Sequence, residues 1–209
     1  RPQRQQGLAK PILRAEIRYR AKQAGPVTLR LAAKPDNFYG RDYRQEFPVT
    51  LETGDSKVLT VTLPMEAARL WWPVGHGKPN LYRVRASLID RQGVMDTAVT
   101  RTGLRKMEEA PDNKGWRIND KRLFVKGSNY IGSPWLGTMT RARYRQDFEL
   151  VTGMNANAIR VHGHVAGRAL YDVADEMGLM IWQDVPLQWG YNNSSEFADN
   201  AARQTREMV

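Results

Sequence analysis

Between residues 11 and 20 apolar and polar side chains alternate, with Leu13, Ala15, Ile17 and Tyr19 set against Ile12, Arg14, Glu16 and Arg18. A period of two predicts a half-buried β-strand. Residues 27–33, 47–52 and 57–63 read the same way, with Gly25-Pro26 and Gly54-Asp55 as turn chemistry between them. Residues 80–90 and 94–106 pair naturally across Arg91-Gln92-Gly93. These six strands, with short connections and no helical period, predict an antiparallel sandwich. The connection over residues 34–46 is polar and aromatic, and the pattern assigns it no role.

Near Trp116 the pattern changes. Trp116-Arg117-Ile118, a turn at Asn119-Asp120 and Leu123-Phe124-Val125 predict a small hairpin. Residues 126–131 extend it into a first core strand. The period then becomes helical: over residues 141–153, Tyr144, Phe148 and Val151 fall near i, i+4, i+7, with Thr140 as N-cap. A strand at 158–161, a helix at 166–177 closed by Gly178, a strand at 179–182 and a helix at 194–208 follow. Alternation of this kind predicts a parallel sheet. Three strand–helix units cannot close an eight-stranded barrel, so the second half reads as a small open sheet or a piece of something larger. The break in pattern and the run Ala110-Pro111-Asp112-Asn113 place a domain boundary at 110/111.

Composition narrows the function classes. The chain has 209 residues and no cysteine, which excludes disulfides, thiolate metal sites and cysteine nucleophiles. No apolar run approaches the roughly 20 residues of a membrane-spanning helix, and residues 1–11 show no signal-peptide core. The net charge of +10 suggests nucleic acid until it is divided. Residues 1–110 hold 20 Lys and Arg against 11 Asp and Glu, whereas residues 111–209 hold 12 against 11. The excess is spread along strands, as at Arg14, Arg18, Arg20, Arg83 and Arg85, and no nucleic-acid motif accompanies it. A solvated sandwich face accounts for it, with an electrostatic docking surface as the alternative.

The candidate chemistry lies in residues 157–189. Arg160, His162 and His164 end one predicted strand, and Gln183, Asp184 and Trp189 follow the next. In parallel α/β folds, ligands bind where successive strands end. His162 and His164 are two apart, so on an extended segment both point the same way. Three roles suit them: sugar hydrogen bonding or carboxylate orientation, a satisfied structural role, or metal ligation with Asp184. Trp189 and Trp135 could give a pyranose an apolar platform, while Trp135 and Trp182 fit a core role equally well. Asn129 and Tyr130, ending the first strand, are further candidates. Trp71 and Trp72 read as sandwich packing, and the helix face Leu170, Val173, Ala174 and Met177 reads as core.

Three segments, LWWPVGHGKPNLY (70–82), RINDKRLFVKGSNYIG (117–132) and NAIRVHGHVAGRALYDVADEMGLMIWQDVPLQWGY (157–191), resemble glycoside hydrolase family 2 in the family's order. The similarity spans roughly residues 65–209. Trp-Trp-Pro and Trp-Gln-Asp look most like its β-mannosidase and exo-β-glucosaminidase branch; the family also includes β-galactosidases and β-glucuronidases. The resemblance implies an immunoglobulin-like β-sandwich over 1–110, then the first part of a TIM-barrel hydrolase domain over 111–209. In that family a jelly-roll domain precedes the sandwich. The implied activity is retaining hydrolysis of terminal β-glycosides, with a carbohydrate as partner and no cofactor; family habit points to export.

By resemblance, Arg160 and Asp184 belong to the polar shell of a sugar site, and the candidates Asn129, His162, His164 and Trp189 would line it with them. Arg160 would donate to a hydroxyl or hold a catalytic carboxylate, with a structural ion pair to Asp184 as the alternative. The family's acid/base glutamate follows an asparagine, and this chain has no Asn-Glu dipeptide. After Ile131 its glutamates are Glu149, Glu176, Glu196 and Glu207, each in a predicted helix. The resemblance therefore implies that the catalytic pair lies outside these residues. The chain departs from the mannosidase pattern at His162-Gly163-His164, where Trp-Gly-Gly is usual. Two rival functions are a non-catalytic carbohydrate-binding or scaffold module, and a metal-dependent hydrolase using His162, His164 and Asp184.

Overall fold

A computed structural model describes residues 10–111, 115–187 and 190–208. The chain divides into two compact units. One ends at Trp72 and resumes over Gly77–Phe124; the other comprises Pro73–His76 and the chain from Val125 onward.

The first unit is built from antiparallel strands. β1 (Ile12–Ala21) pairs with β4 (Gly54–Pro64), and β2 (Gly25–Pro35), β3 (Tyr43–Leu51), β5 (Tyr82–Asp90) and β6 (Gly93–Thr102) form a four-stranded sheet in the order β3-β2-β5-β6. The alternation of β1 is realised in packing. Leu13 and Ala15 join Leu31, Ala33, Tyr43, Leu63, Met65, Tyr82, Val84 and Leu104 in one core, while Glu16 and Arg18 face solvent. Two sheets sharing one apolar layer make a sandwich. The unassigned connection between β2 and β3 proves to be tied down. Asn37 accepts from the Leu81 amide at 2.8 Å and donates to the Pro79 carbonyl at 2.8 Å. Arg83 grips Asp36 at 2.7 Å, and Phe38 packs edge-on against Tyr82.

A third sheet joins β7 (Met107–Glu109), β8 (Trp116–Ile118) and β9 (Lys121–Leu123). Asn119 and Asp120 both have positive φ, as a tight two-residue hairpin turn requires. The second hairpin strand ends at Leu123, leaving Phe124 and Val125 exposed. Because Glu109 pairs with Trp116, this sheet bridges the 110/111 junction, and the compact unit runs on to Phe124.

The second unit alternates strand and helix. β10 (Gly127–Tyr130), β11 (Ala158–Val161) and β12 (Met180–Gln183) form a parallel sheet in sequence order. The helices are α1 (Arg141–Gly153), α2 (Arg168–Met177) and α3 (Ser195–Met208). Thr140 caps α1 by accepting from the Arg143 amide. Gly178 ends α2 in the left-handed region at φ 74, a conformation that glycine adopts without Cβ strain. Ile159 and Val161 pack with Tyr144, Phe148, Leu170, Val173 and Leu179, so α1 and α2 cover one face of the sheet. Tyr130 belongs to that covered side, where its hydroxyl donates to Asp147 at 2.7 Å and its ring packs on Phe148. Burial, followed by the Asp147 carboxylate, pushes its phenol well above the usual range. Tyr130 is thus a packing residue.

Candidate functional site

The register sets three side chains in one row on the other face. Asn129 is level with Arg160, and Arg160 with Trp182. Residues level on adjacent strands point the same way about 4.8 Å apart. Burial agrees: Ile159 and Val161 are buried, whereas Arg160 is exposed and Trp182 is 61% exposed. Trp135 is 76% exposed. Both side chains are largely exposed, so among the described residues neither tryptophan belongs to a core. An open groove of about 640 Å³ runs along this face, lined by Val125, Gly127, Asn129, Ala158, Arg160 and Trp182 among others.

At the C-terminal edge of the sheet, Asp184 gathers its neighbours. Arg160 donates through Nε to Oδ1 at 3.0 Å, and its Nη2 lies 2.8 Å from Oδ2. This fork-on-carboxylate geometry suits a planar guanidinium. Arg160 Nη1 reaches Asn129 Oδ1 at 3.4 Å, and the Gly163 amide donates to Asp184 Oδ2 at 3.3 Å. His162 Nδ1 lies 3.4 Å from the same oxygen; it is shielded from solvent yet lacks the alignment of a hydrogen bond. The Arg160 hydrogen bond holds the Asp184 carboxyl below its usual range against partial desolvation, with smaller help from the Gly163 amide.

A pH dependence follows. A carboxylate whose folded pKa is depressed stabilises the fold above its unfolded pKa of about 3.9, and that contribution disappears as pH falls through the folded value. Arg160→Met is expected to raise the Asp184 midpoint toward the unfolded value in a carboxyl ¹³C titration. An unchanged midpoint would mean the ion pair does not set this charge.

The two histidines do not share an extended segment. β11 ends at Val161 and Gly163 adopts φ 68, which turns the chain, so strand alternation does not apply to them. His164 Nδ1 lies 3.0 Å from the His162 carbonyl. Among the described residues no group of three His, Asp or Glu side chains is placed to hold a metal ion. With Arg160 forked on Asp184 and His164 turned to the backbone, these residues do not form a convergent ligand set. Trp189 lies outside the described residues. Glu149, Glu176, Glu196 and Glu207 all fall in helices, and Glu176 is engaged by Arg141 and Arg145.

The family described as glycosyl hydrolases family 2 matches residues 2–105. Beta-mannosidase B of Aspergillus clavatus is 31% identical over 157 residues, which is 71% of this chain and 18% of the relative. This chain belongs to family 2 of the glycosyl hydrolases. The crystal structure of a β-D-mannosidase from Dictyoglomus thermophilum has 25% identity and a TM-score of 0.81, over 96% of this chain and 26% of that one. A family 2 member from Bacteroides cellulosilyticus shares the fold, with a TM-score of 0.84 at 20% identity over 100% of this chain and 28% of that one. The chain thus spans under a fifth of the length of curated relatives of this kind.

Two contacts of this parallel sheet were not legible in the sequence. Asn157 is buried, and its Oδ1 accepts from the Lys126 amide at 2.8 Å, aligning the start of β10 with β11. Tyr171 donates its hydroxyl to Gln183. An asparagine immediately before a strand could have been suspected as a backbone bridge. The tyrosine carried no local signal.

Proposed function

We propose that this family 2 chain forms an immunoglobulin-like sandwich and the first three strand–helix steps of a (β/α)8 barrel that hydrolyses terminal β-glycosides. The row Asn129, Arg160 and Trp182 on a sheet face left exposed among the described residues, with Asp184 at its C-terminal edge, carries this reading. A barrel strand turns one face to the helices and one to the interior, and substrate binds where the strands end. The covered and bare faces of β10–β12 divide in that way.

In this reading Arg160, held by Asp184, presents its remaining N–H groups to a sugar hydroxyl or to a catalytic carboxylate. Asn129 adds a polar group beside it, and Trp182 offers an apolar ring to a sugar's C–H face. His162 and His164 complete the described part of the shell. β-Mannosides are the favoured substrate class, since the relatives are named β-mannosidases. His162-Gly163-His164 is where this chain would depart from them in selectivity.

Retaining hydrolysis needs two carboxyl groups about 5 Å apart across the scissile bond. The glutamates after Ile131 sit in helices, so the proposal assigns the pair to residues beyond this chain. The purified 209-residue chain is therefore expected to show no turnover of aryl β-mannoside, β-glucosaminide or β-galactoside. Groups that act as a unit leave little rate when they are absent. Turnover that disappears on mutating a residue within the chain would overturn the proposal.

A further inference from the structure

Gln183, the last residue of β12, makes three polar contacts through one amide. Its Nε2 donates to the His164 carbonyl at 2.7 Å and to the Asp184 carbonyl at 2.6 Å. Its Oε1 accepts from the Tyr171 hydroxyl on α2. Both N–H groups are used, and the two carbonyls dictate the amide's orientation: a flipped amide would face oxygen against oxygen twice. Gln183 is level with the buried Val161, which places it toward the helices. The next residue, Asp184, turns instead to Arg160 and the Gly163 amide.

Consecutive residues therefore hold the β11–α2 loop from two sides. The loop is tied at the His162 amide, which donates to the Tyr130 carbonyl at 3.2 Å. It is tied again at the Gly163 amide by Asp184 and at the His164 carbonyl by Gln183. His162 and His164 hang from the segment between these ties. Their ring positions thus depend on where the loop is pinned, and Gln183 supplies the only one of these three ties that reaches the His164 end.

We propose that Gln183 is the positioning residue that sets the His162 and His164 rings at the C-terminal edge of the sheet, and so shapes which glycoside hydroxyls they can meet. The proposal rests on the reading of this edge as a sugar site. Gln183 itself touches no sugar. Glutamine is required because the partners are two acceptors and one donor. Leucine offers none of the three contacts, and an ionised glutamate turns oxygen toward both carbonyls.

The test uses the 209-residue chain and follows the histidine ring and backbone amide resonances by NMR. In Gln183→Leu, the ring signals of His162 and His164 are expected to move, and the Gly163 amide to exchange about tenfold faster, the loss of one net hydrogen bond. Ile159 and Val161 amides should keep their exchange rates. Gln183→Glu should resemble Gln183→Leu at neutral pH. It should recover toward wild type as pH falls through the glutamate range, because a protonated acid donates again. Tyr171→Phe, which keeps the ring in place, should give a smaller change in the same signals.

Unmoved histidine signals in folded Gln183→Leu would overturn the proposal. So would equal acceleration of every core amide, which would make Gln183 a general stabiliser. If Gln183→Leu does not fold, the pH recovery in Gln183→Glu decides alone, and its absence counts against the proposal. Titration of the wild-type chain with methyl β-mannoside, β-glucosaminide and β-galactoside separates the two readings. Loop effects without sugar-induced histidine shifts would count against the sugar site while leaving the positioning of the rings intact.

Discussion

Gly127→Ala is expected to unpair β10 from β11. A Cβ on Gly127 would lie 2.1 Å from the Ala158 carbonyl oxygen and 2.8 Å from its carbon. Those are backbone atoms inside the parallel ladder, and no rotamer change can move them aside. Gly127 is level with Ala158, and the Ala158 amide donates to the Lys126 carbonyl at 3.1 Å, so the strands are joined at this point. Overpacking typically costs about 1–3 kcal/mol, and the upper end is expected where only backbone can yield. Gly153→Ala is the control: a Cβ there meets nothing within 4 Å, and alanine favours the helix. Denaturant unfolding should show a clear loss for the first and none for the second. Amide exchange in the Gly127 variant should accelerate first at Asn129 and Arg160. Equal stability of the two variants would show that β10 has room to shift.

Trp71→Ala is expected to cost about 3–5 kcal/mol, the range for removing a buried aromatic side chain. Trp71 is 1% exposed. The Arg105 guanidinium lies 4.7 Å from its ring centre, a cation over an aromatic face. A Cβ on Gly103 would come within 2.7 Å of the same side chain, so glycine at 103 makes room for the indole. The Trp71 backbone holds its neighbours too: its amide donates to the Leu104 carbonyl at 2.9 Å and its carbonyl accepts from Asn119 at 2.9 Å. These bonds survive the substitution, so the loss reports the side chain. Trp72 is only half-buried, beside Lys121, and Trp72→Ala should cost distinctly less. A smaller loss at Trp71 than at Trp72 by guanidinium unfolding would refute this ordering.

Much of the fold was legible because its signals are local. The alternation in β1, the helical period of α1 and the glycine after α2 each act within a few residues, and the predicted α1 and β11 coincide with the observed ones. The clustering of Arg160 and Asp184 was also legible in outline, since strands joined by one helix tend to be neighbours. The family resemblance drew on the same local stretches.

The amino-acid sequence by itself therefore determined the elements, the absence of cysteine chemistry and the grouping of polar residues at two strand ends. Tertiary structure decided what depends on pairing between distant residues. The β3-β2-β5-β6 order and the joining of Met107–Glu109 to the 116–123 hairpin are long-range choices, and the latter carried the first unit past residue 110. The positive φ of Gly163 turned the chain between two histidines that strand alternation had treated as one extended segment. Whether Trp182 was core or surface depended on whether a second layer covered its face. The amide of Gln183, which holds the β11–α2 loop, meets Tyr171 on a helix from its place on a strand. A hydrogen bond between elements is set by their packing, and neither residue's neighbours in sequence record it.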